Sequence, residues 1–403
     1  MIKNKIAPLI ICALILCVIV PAINGHAVIS KQAQKSIINK GVWVTVFSEK
    51  KAMYSREGVL SLIESCKNTG INEIYLQLYR AGQAYYDSRI SDRTKYEEIV
   101  KEAGGIDTID LLLREAKKNN IKVFAWINVL SLAQNKKAPI ITKYGNSVLT
   151  KDQYLRVSIR TEGVNGSDKY YLRDDQLFLE PGDPRVVEYL VSIAGEIVNK
   201  YPLINGIHLD YVRYPHPVPF VPGSRFNKYG LTYGYGELNM KRFEEATKLD
   251  PLSVTDNENI SYKWDDWKRE QVTNLVEKIS KYIKGKSKAL LVSCAVMPSP
   301  ERAYSVAFQD WSLWLEKEIV DYVVLMNYTR DDRLAEETVR SALAHKGKGK
   351  IFVGIGAFLL KNDPEMFLRQ YAIIASLKPD GVVLFSYDEV PNAILESDIC
   401  QRK

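Results

Sequence analysis

From Gly41 onward the chain repeats one pattern: a short apolar run, a turn, then a longer stretch with apolar positions on one helical face. Strand-like runs fall at Gly41–Phe47, Glu73–Tyr79, Lys122–Val129, Ile204–Tyr211, Ala289–Val296, Tyr322–Tyr328, Ile351–Phe358 and Gly381–Tyr387. Helical periodicity fills the spaces at Arg56–Thr69, Ile106–Asn119, Arg185–Lys200, Asp266–Ile283, Asp310–Glu318, Glu336–His345 and Pro364–Leu377. Alternating strands and helices argue for parallel pairing, and eight such units predict an α/β fold closed as a (β/α)8 TIM barrel. A doubly wound open sheet is the competitor, but Phe47-Ser48-Glu49-Lys50 after the first strand lacks the glycine-rich phosphate turn. Asp183-Pro184 and Asp363-Pro364 read as helix N-caps followed by proline at the first helical position. Thr69-Gly70 reads as a helix stop.

Two insertions interrupt the alternation. The first, from about Leu132 to Gly182, follows the third strand and holds polar alternating runs and the hairpin signal Asn165-Gly166. The second, from His216 to Tyr262, follows the fourth strand and is rich in Pro, Gly and Tyr. Both lie on strand-to-helix connections, so they are expected to wall the barrel's carboxyl-terminal face.

The amino terminus changes the picture of location. Lys3 and Lys5 precede the apolar run Ile6 to Val20, and Ala22 and Ala27 offer cleavage points. Residues 1–27 therefore read as an export signal, with an uncleaved membrane anchor as the alternative, and 38–403 as the barrel. The expected location is secreted, periplasmic or cell-envelope. Beyond the leader only Cys66, Cys294 and Cys400 remain, widely spaced, so no disulfide framework or metal-ligand pair is expected. The formal net charge is +7, but the basic residues are dispersed and outline no nucleic-acid groove. Tyrosine, 24 residues against 11 phenylalanines, suits sugar faces and wet clefts.

Polar and aromatic groups gather where the strands end. Gln77, Tyr79 and Arg80 close the second strand, and Trp126 and Asn128 the third. His208 and Asp210 close the fourth, leading into Arg213 and Tyr214; Asn327 and Tyr328 end the sixth, and Tyr387, Asp388 and Glu389 follow the eighth. Gly354 and Gly356 on the seventh would leave open volume. Flat rings, amides and acids together suit carbohydrate. The four histidines show no paired metal spacing and no G-x-S-x-G elbow exists, so neither a metal, a cofactor nor a serine nucleophile is expected. For Asp210 alone, capping of the following turn is the competing role.

Gly206-Ile207-His208-Leu209-Asp210-Tyr211-Val212-Arg213-Tyr214-Pro215 resembles the fourth-strand signature of family 10 of the glycosyl-hydrolase-like TIM-barrel proteins. Gly41-Val42-Trp43, Gly70-Ile71-Asn72, Ala125-Trp126-Ile127-Asn128, Leu179-Glu180-Pro181-Gly182-Asp183-Pro184, Met326-Asn327-Tyr328-Thr329 and Leu384-Phe385-Ser386-Tyr387 continue the likeness in order. The resemblance implies an exported bacterial glycosidase acting on a polysaccharide, for some members the glycan strand of peptidoglycan. Many relatives carry two adjacent acids where this chain has Asp210-Tyr211. A fainter likeness to family 18 chitinases breaks at Asn205, His208 and Val212, so that family's proton donor is missing.

Glycoside hydrolysis ordinarily uses two carboxyl groups. Asp210 is the expected nucleophile or general base. Asp388 and Glu389 are the leading candidates for its partner by position, with Glu301, Asp331 and Asp332 behind them. The alternative is a glycan-binding barrel without catalysis.

Overall fold

The computed structural model describes residues 39–157, 176–215, 232–256 and 258–390. Eight parallel strands form the barrel: β1 (Asn39–Val44), β2 (Glu73–Arg80), β3 (Lys122–Asn128), β4 (Gly206–Asp210), β5 (Leu291–Val296), β6 (Tyr322–Asn327), β7 (Lys350–Gly356) and β8 (Gly381–Phe385). Closure is made by β1, which pairs with β8 (Val42 opposite Leu384) and with β2 (Trp43 opposite Tyr75). Each expected strand is present, and the closed barrel excludes the open doubly wound sheet.

Among the described residues, the helices that alternate with these strands are α1 (Arg56–Thr69), α2 (Thr108–Lys118), α3 (Pro184–Lys200), α4 (Glu258–Lys286), α5 (Trp311–Glu316), α6 (Asp332–Ala344) and α7 (Pro364–Ser376). Their ends follow local chemistry. Asp183 and Asp363 accept from the backbone N–H of Arg185 and Met366, each ahead of a proline at the first helical position. Gly70 closes α1 in the left-handed region at φ 66°, donating to the carbonyls of Cys66 and Lys67.

Strand parity separates two apolar layers. Outward residues such as Ile74, Leu76, Val123 and Ile127 meet Leu62, Leu112, Leu190 and Ile193 from the helices. Inward, Trp43, Tyr75, Phe124, Trp126, Tyr322, Val324, Phe352 and Val383 fill the barrel itself. Stability rests on this double layer, because Cys66 and Cys294 are buried free thiols rather than cross-links. The open volume expected at Gly354 is occupied: a Cβ there would lie 2.9 Å from the Trp43 indole, so the missing side chain makes room for tryptophan instead.

The first insertion contributes the strand Ser131–Ala133, antiparallel to Leu177–Phe178, and the helix Pro139–Tyr144. The second contributes the helix Glu237–Thr247 over a satellite cluster of Tyr235, Phe243 and Trp264. The Asn165-Gly166 hairpin, the leader and the middle of the second insertion lie outside the described residues. A third excursion, after β2, carries the helix Thr94–Glu102, which the hydrophobic pattern did not separate from its neighbours.

Candidate functional site

Asp210 is the last residue of β4, inward by parity and 8 % exposed. It faces a cleft of about 380 Å³ at the carboxyl ends of the strands, within the roughly 300–1,000 Å³ usual for small-ligand sites. Among the described residues lining this cleft, Asp210 is the one carboxylate. Its Oδ2 accepts from the Trp126 indole Nε1 at 3.1 Å, and its Oδ1 accepts from the backbone N–H of Tyr211 at 2.7 Å. Tyr211 holds a positive φ of 54°, which turns the chain sharply just past the carboxylate.

Burial pushes the Asp210 carboxyl above the usual carboxylate range, outweighing the Tyr211 N–H, the Arg213 charge and the Trp126 donor, all of which favour the ionised form. A carboxyl so placed can exchange a proton at milder pH than a surface aspartate.

The polar side chains beside it are locked. Gln77 Nε2 donates to Asn128 Oδ1 at 3.1 Å, while Gln77 Oε1 accepts from the Val46 N–H at 3.1 Å. Both amides line the cleft with Trp43, Trp126, Tyr328, Phe358 and Phe385. The Tyr328 and Phe385 rings stack at 5.5 Å, and Phe385 sits edge-on to Trp126 at 6.2 Å, so the floor is a continuous aromatic surface.

His208 lies one layer below, fully buried. Its Nε2 accepts from Trp43 Nε1 at 3.1 Å, which leaves Nδ1–H to face Ser293 Oγ at 2.9 Å. Burial drives its pKa down to about 3, so it is a neutral support for the Trp43 indole rather than a group exposed to ligand.

The structure thus gathers Gln77, Arg80, Trp126, Asn128, Asp210, Arg213 and Tyr328 around one cavity. It places the other expected site residues elsewhere. Between Gln77 and Tyr79 the register against β3 slips by one residue, an extra residue that turns Tyr79 outward and Arg80 inward. Tyr79 accordingly sits in the outer apolar layer, its hydroxyl donating to that of Tyr189 on α3. Asn327 has the opposite parity to Met326, and its amide donates to the Ala335 carbonyl. Tyr214 is buried and donates to Glu180 Oε1 at 2.6 Å. Tyr387 is buried, with Lys50 over its ring.

The acids expected to partner Asp210 are also occupied away from the lining. Asp388 accepts from Ser48 Oγ at 2.8 Å and the Lys50 N–H, and Glu389 pairs with Lys361. Asp331 caps α6 and Asp332 pairs with Arg369. Glu301 borders a different cleft, beside Tyr304 and His345.

Sequence pattern missed Thr45, Phe47, Met326 and Phe358 as lining residues. It also passed over Glu180, quoted only within a likeness. This carboxylate is fully buried between the two insertions, with Oε1 accepting from Tyr214 and the Gly182 N–H and Oε2 from the Gly236 N–H. Burial raises its pKa to about 7 despite those donors.

Comparison with known proteins bears on the family and the fold. A family model described as glycosyl hydrolase-like 10 matches residues 39–355. Glycosyl hydrolase DigH of Escherichia coli K12 is 25 % identical over 301 residues, covering 69 % of this chain and 59 % of its own length. Glycosyl hydrolase YngK of Bacillus subtilis 168 is 22 % identical over 358 residues, 80 % of this chain and 61 % of its own length. The chain therefore spans about three fifths of these relatives. A β-galactosidase from Rahnella sp. R3 superposes with a TM-score of 0.55 at 14 % identity, covering 87 % of this chain and 50 % of that one; the likeness shows the barrel fold.

Proposed function

The chain belongs to the glycosyl hydrolase-like 10 family, and on that premise we propose that it is an exported bacterial glycoside hydrolase acting on a cell-wall or surface polysaccharide. Peptidoglycan glycan strands are the leading substrate. The observation that carries the reading is Asp210: a carboxyl of raised pKa, held by Trp126 and the Tyr211 N–H, on an aromatic cleft of sugar size. Asp210 acts as nucleophile or general base, and the aromatic floor takes the C–H faces of the sugar rings. Gln77 and Asn128, fixed by their mutual bond, offer their remaining polar valences to hydroxyls.

Among the described residues the structure contains no helix long and apolar enough to cross a membrane, and the leader lies outside them. Export rests on the sequence of residues 1–27.

One observation favours a second reading, a barrel that binds glycan without cleaving it: among the described lining residues no second carboxylate faces Asp210. Incubation with purified sacculi, peptide-free glycan strands and chitin fragments separates the two. The hydrolase reading expects new reducing ends from at least one of them, lost in Asp210→Asn while glycan binding persists. Binding without any release by the wild type would favour the second reading.

A further inference from the structure

Two arginines share the cleft with Asp210, whose single carboxylate cannot balance both. Arg80 and Arg213 both line it, and among the described residues neither forms an ion pair with a carboxylate. The Arg80 guanidinium lies 4.6 Å from the Phe47 ring centre, and that of Arg213 lies 4.8 Å from the Tyr211 ring centre. Among the described residues, Arg213 makes one hydrogen bond, a 3.4 Å contact to the Tyr214 carbonyl. Stacking on a ring fixes the plane of a guanidinium while leaving its N–H edge free, the posture that grips a carboxylate with two parallel bonds. Arg156 of the first insertion and Arg185 in the first turn of α3 show the contrast: each holds a buried carboxylate, Asp152 and Asp183.

With one carboxylate against two guanidiniums, the described lining carries an excess of one positive charge. Part-burial makes that excess costly at Arg213, whose pKa is lowered by loss of water and only partly restored by Tyr211 and Asp210. The net charge, +7 for the whole chain and +5 without Lys3 and Lys5 of the leader, also favours the approach of a polyanion. We propose that the cleft selects a glycan whose sugars carry carboxylates, with Arg80 and Arg213 as the groups that bind them. This rests on the glycosidase reading for the nature of the ligand and adds to it the chemistry of the substituent.

The test compares binding of three probes to the intact wild-type chain: peptide-free wall glycan strands with free carboxylates, the same strands after reduction of those carboxyls to alcohols, and a hexuronic acid oligosaccharide with its own reduced counterpart. The expected result is that at least one acidic probe binds on the order of tenfold or more tighter than its reduced form, as charge-assisted bonds allow. Whichever acidic probe shows the preference identifies whether the carboxylate sits on a side chain of the sugar or on the ring. Arg80→Gln and Arg213→Gln should each remove most of that preference, weakening the acidic probe far more than the reduced one. Arg213→Lys, which keeps the charge without the fork, should retain part of it. Equal binding of acidic and reduced forms by the wild type would overturn the proposal, as would Gln variants that weaken both forms alike. Cleavage is scored separately: a chain that hydrolyses both forms equally keeps the hydrolase reading and loses this one. A chain that prefers acid but releases no reducing ends does the reverse.

Discussion

Asp210 and Glu180 are both buried carboxylates whose pKa burial has raised, yet they occupy opposite environments. Glu180 is sealed between the two insertions, with Tyr214, Gly182 and Gly236 donating to its two oxygens and Lys268 nearby. A Cβ at Gly236 would fall 2.5 Å from Glu180 Cγ, so no room for a ligand exists on that side. Asp210 has two donors and an open face on the aromatic cleft. A perturbed pKa marks both residues; access to a cavity distinguishes the one that can do chemistry from the one that joins loops.

The largest expected effect breaks the comparison at Asp210. Asp210→Asn should lower turnover of glycan by at least ~10²-fold, in line with loss of a proton-transfer or nucleophilic group, measured as reducing-end release. Because ionising Asp210 in its buried site opposes folding near neutral pH, the same variant should unfold at an equal or higher temperature.

Next comes Glu180. Glu180→Ala strands the Tyr214 hydroxyl and two glycine N–H groups, so chemical denaturation should show a loss of about 3 kcal/mol. Its protonation gives a second, smaller signature. The folded carboxyl titrates near 7 and the unfolded one near its ordinary value of 4.5, so the native state binds more protons between those limits. Stability should therefore be greatest at the acid end of that window and fall as pH rises through it, by roughly 3 kcal/mol at most. In Glu180→Gln that part of the unfolding-versus-pH curve should flatten; an unchanged slope would assign the effect to another group.

A finer test acts on Asp210 through its partner. Trp126→Phe removes the Nε1 donor that favours the ionised carboxylate. The acid limb of kcat/KM should move to higher pH, with a loss of roughly tenfold at neutral pH. The smallest effect concerns Tyr79. Turned outward by the register slip, Tyr79→Phe should leave kcat and KM within error and cost about 1 kcal/mol of stability, from its bond to Tyr189.

The barrel was legible in the sequence because both faces of its strands are buried, which writes long apolar runs between capped helices. The position of Asp210 followed from the same periodicity, since β4 keeps strict alternation from Gly206 to Asp210. Tyr79 and Arg80 exchanged places because one extra residue in β2 shifts parity, and nothing in Glu73–Arg80 signals that slip. Asn327 was misplaced for a simpler reason: Met326, not Asn327, carries the inward parity of β6, and polarity at the strand end suggested otherwise. Asp388 and Glu389 do follow a strand end, but the turn Tyr387–Glu389 directs them to Ser48, Lys50 and Lys361. Glu180 was illegible as a hub because its donors come from Tyr214 and Gly236, distant in sequence.

The most direct test sets the two carboxylates side by side. Reducing-end release from peptide-free glycan strands is measured for wild type, Asp210→Asn and Glu180→Gln, each with its unfolding midpoint. The expected result is that Asp210→Asn is inactive but fully folded, whereas Glu180→Gln keeps most of its activity at temperatures where it remains folded. Activity surviving in Asp210→Asn, or an equal loss in a folded Glu180→Gln, would contradict it.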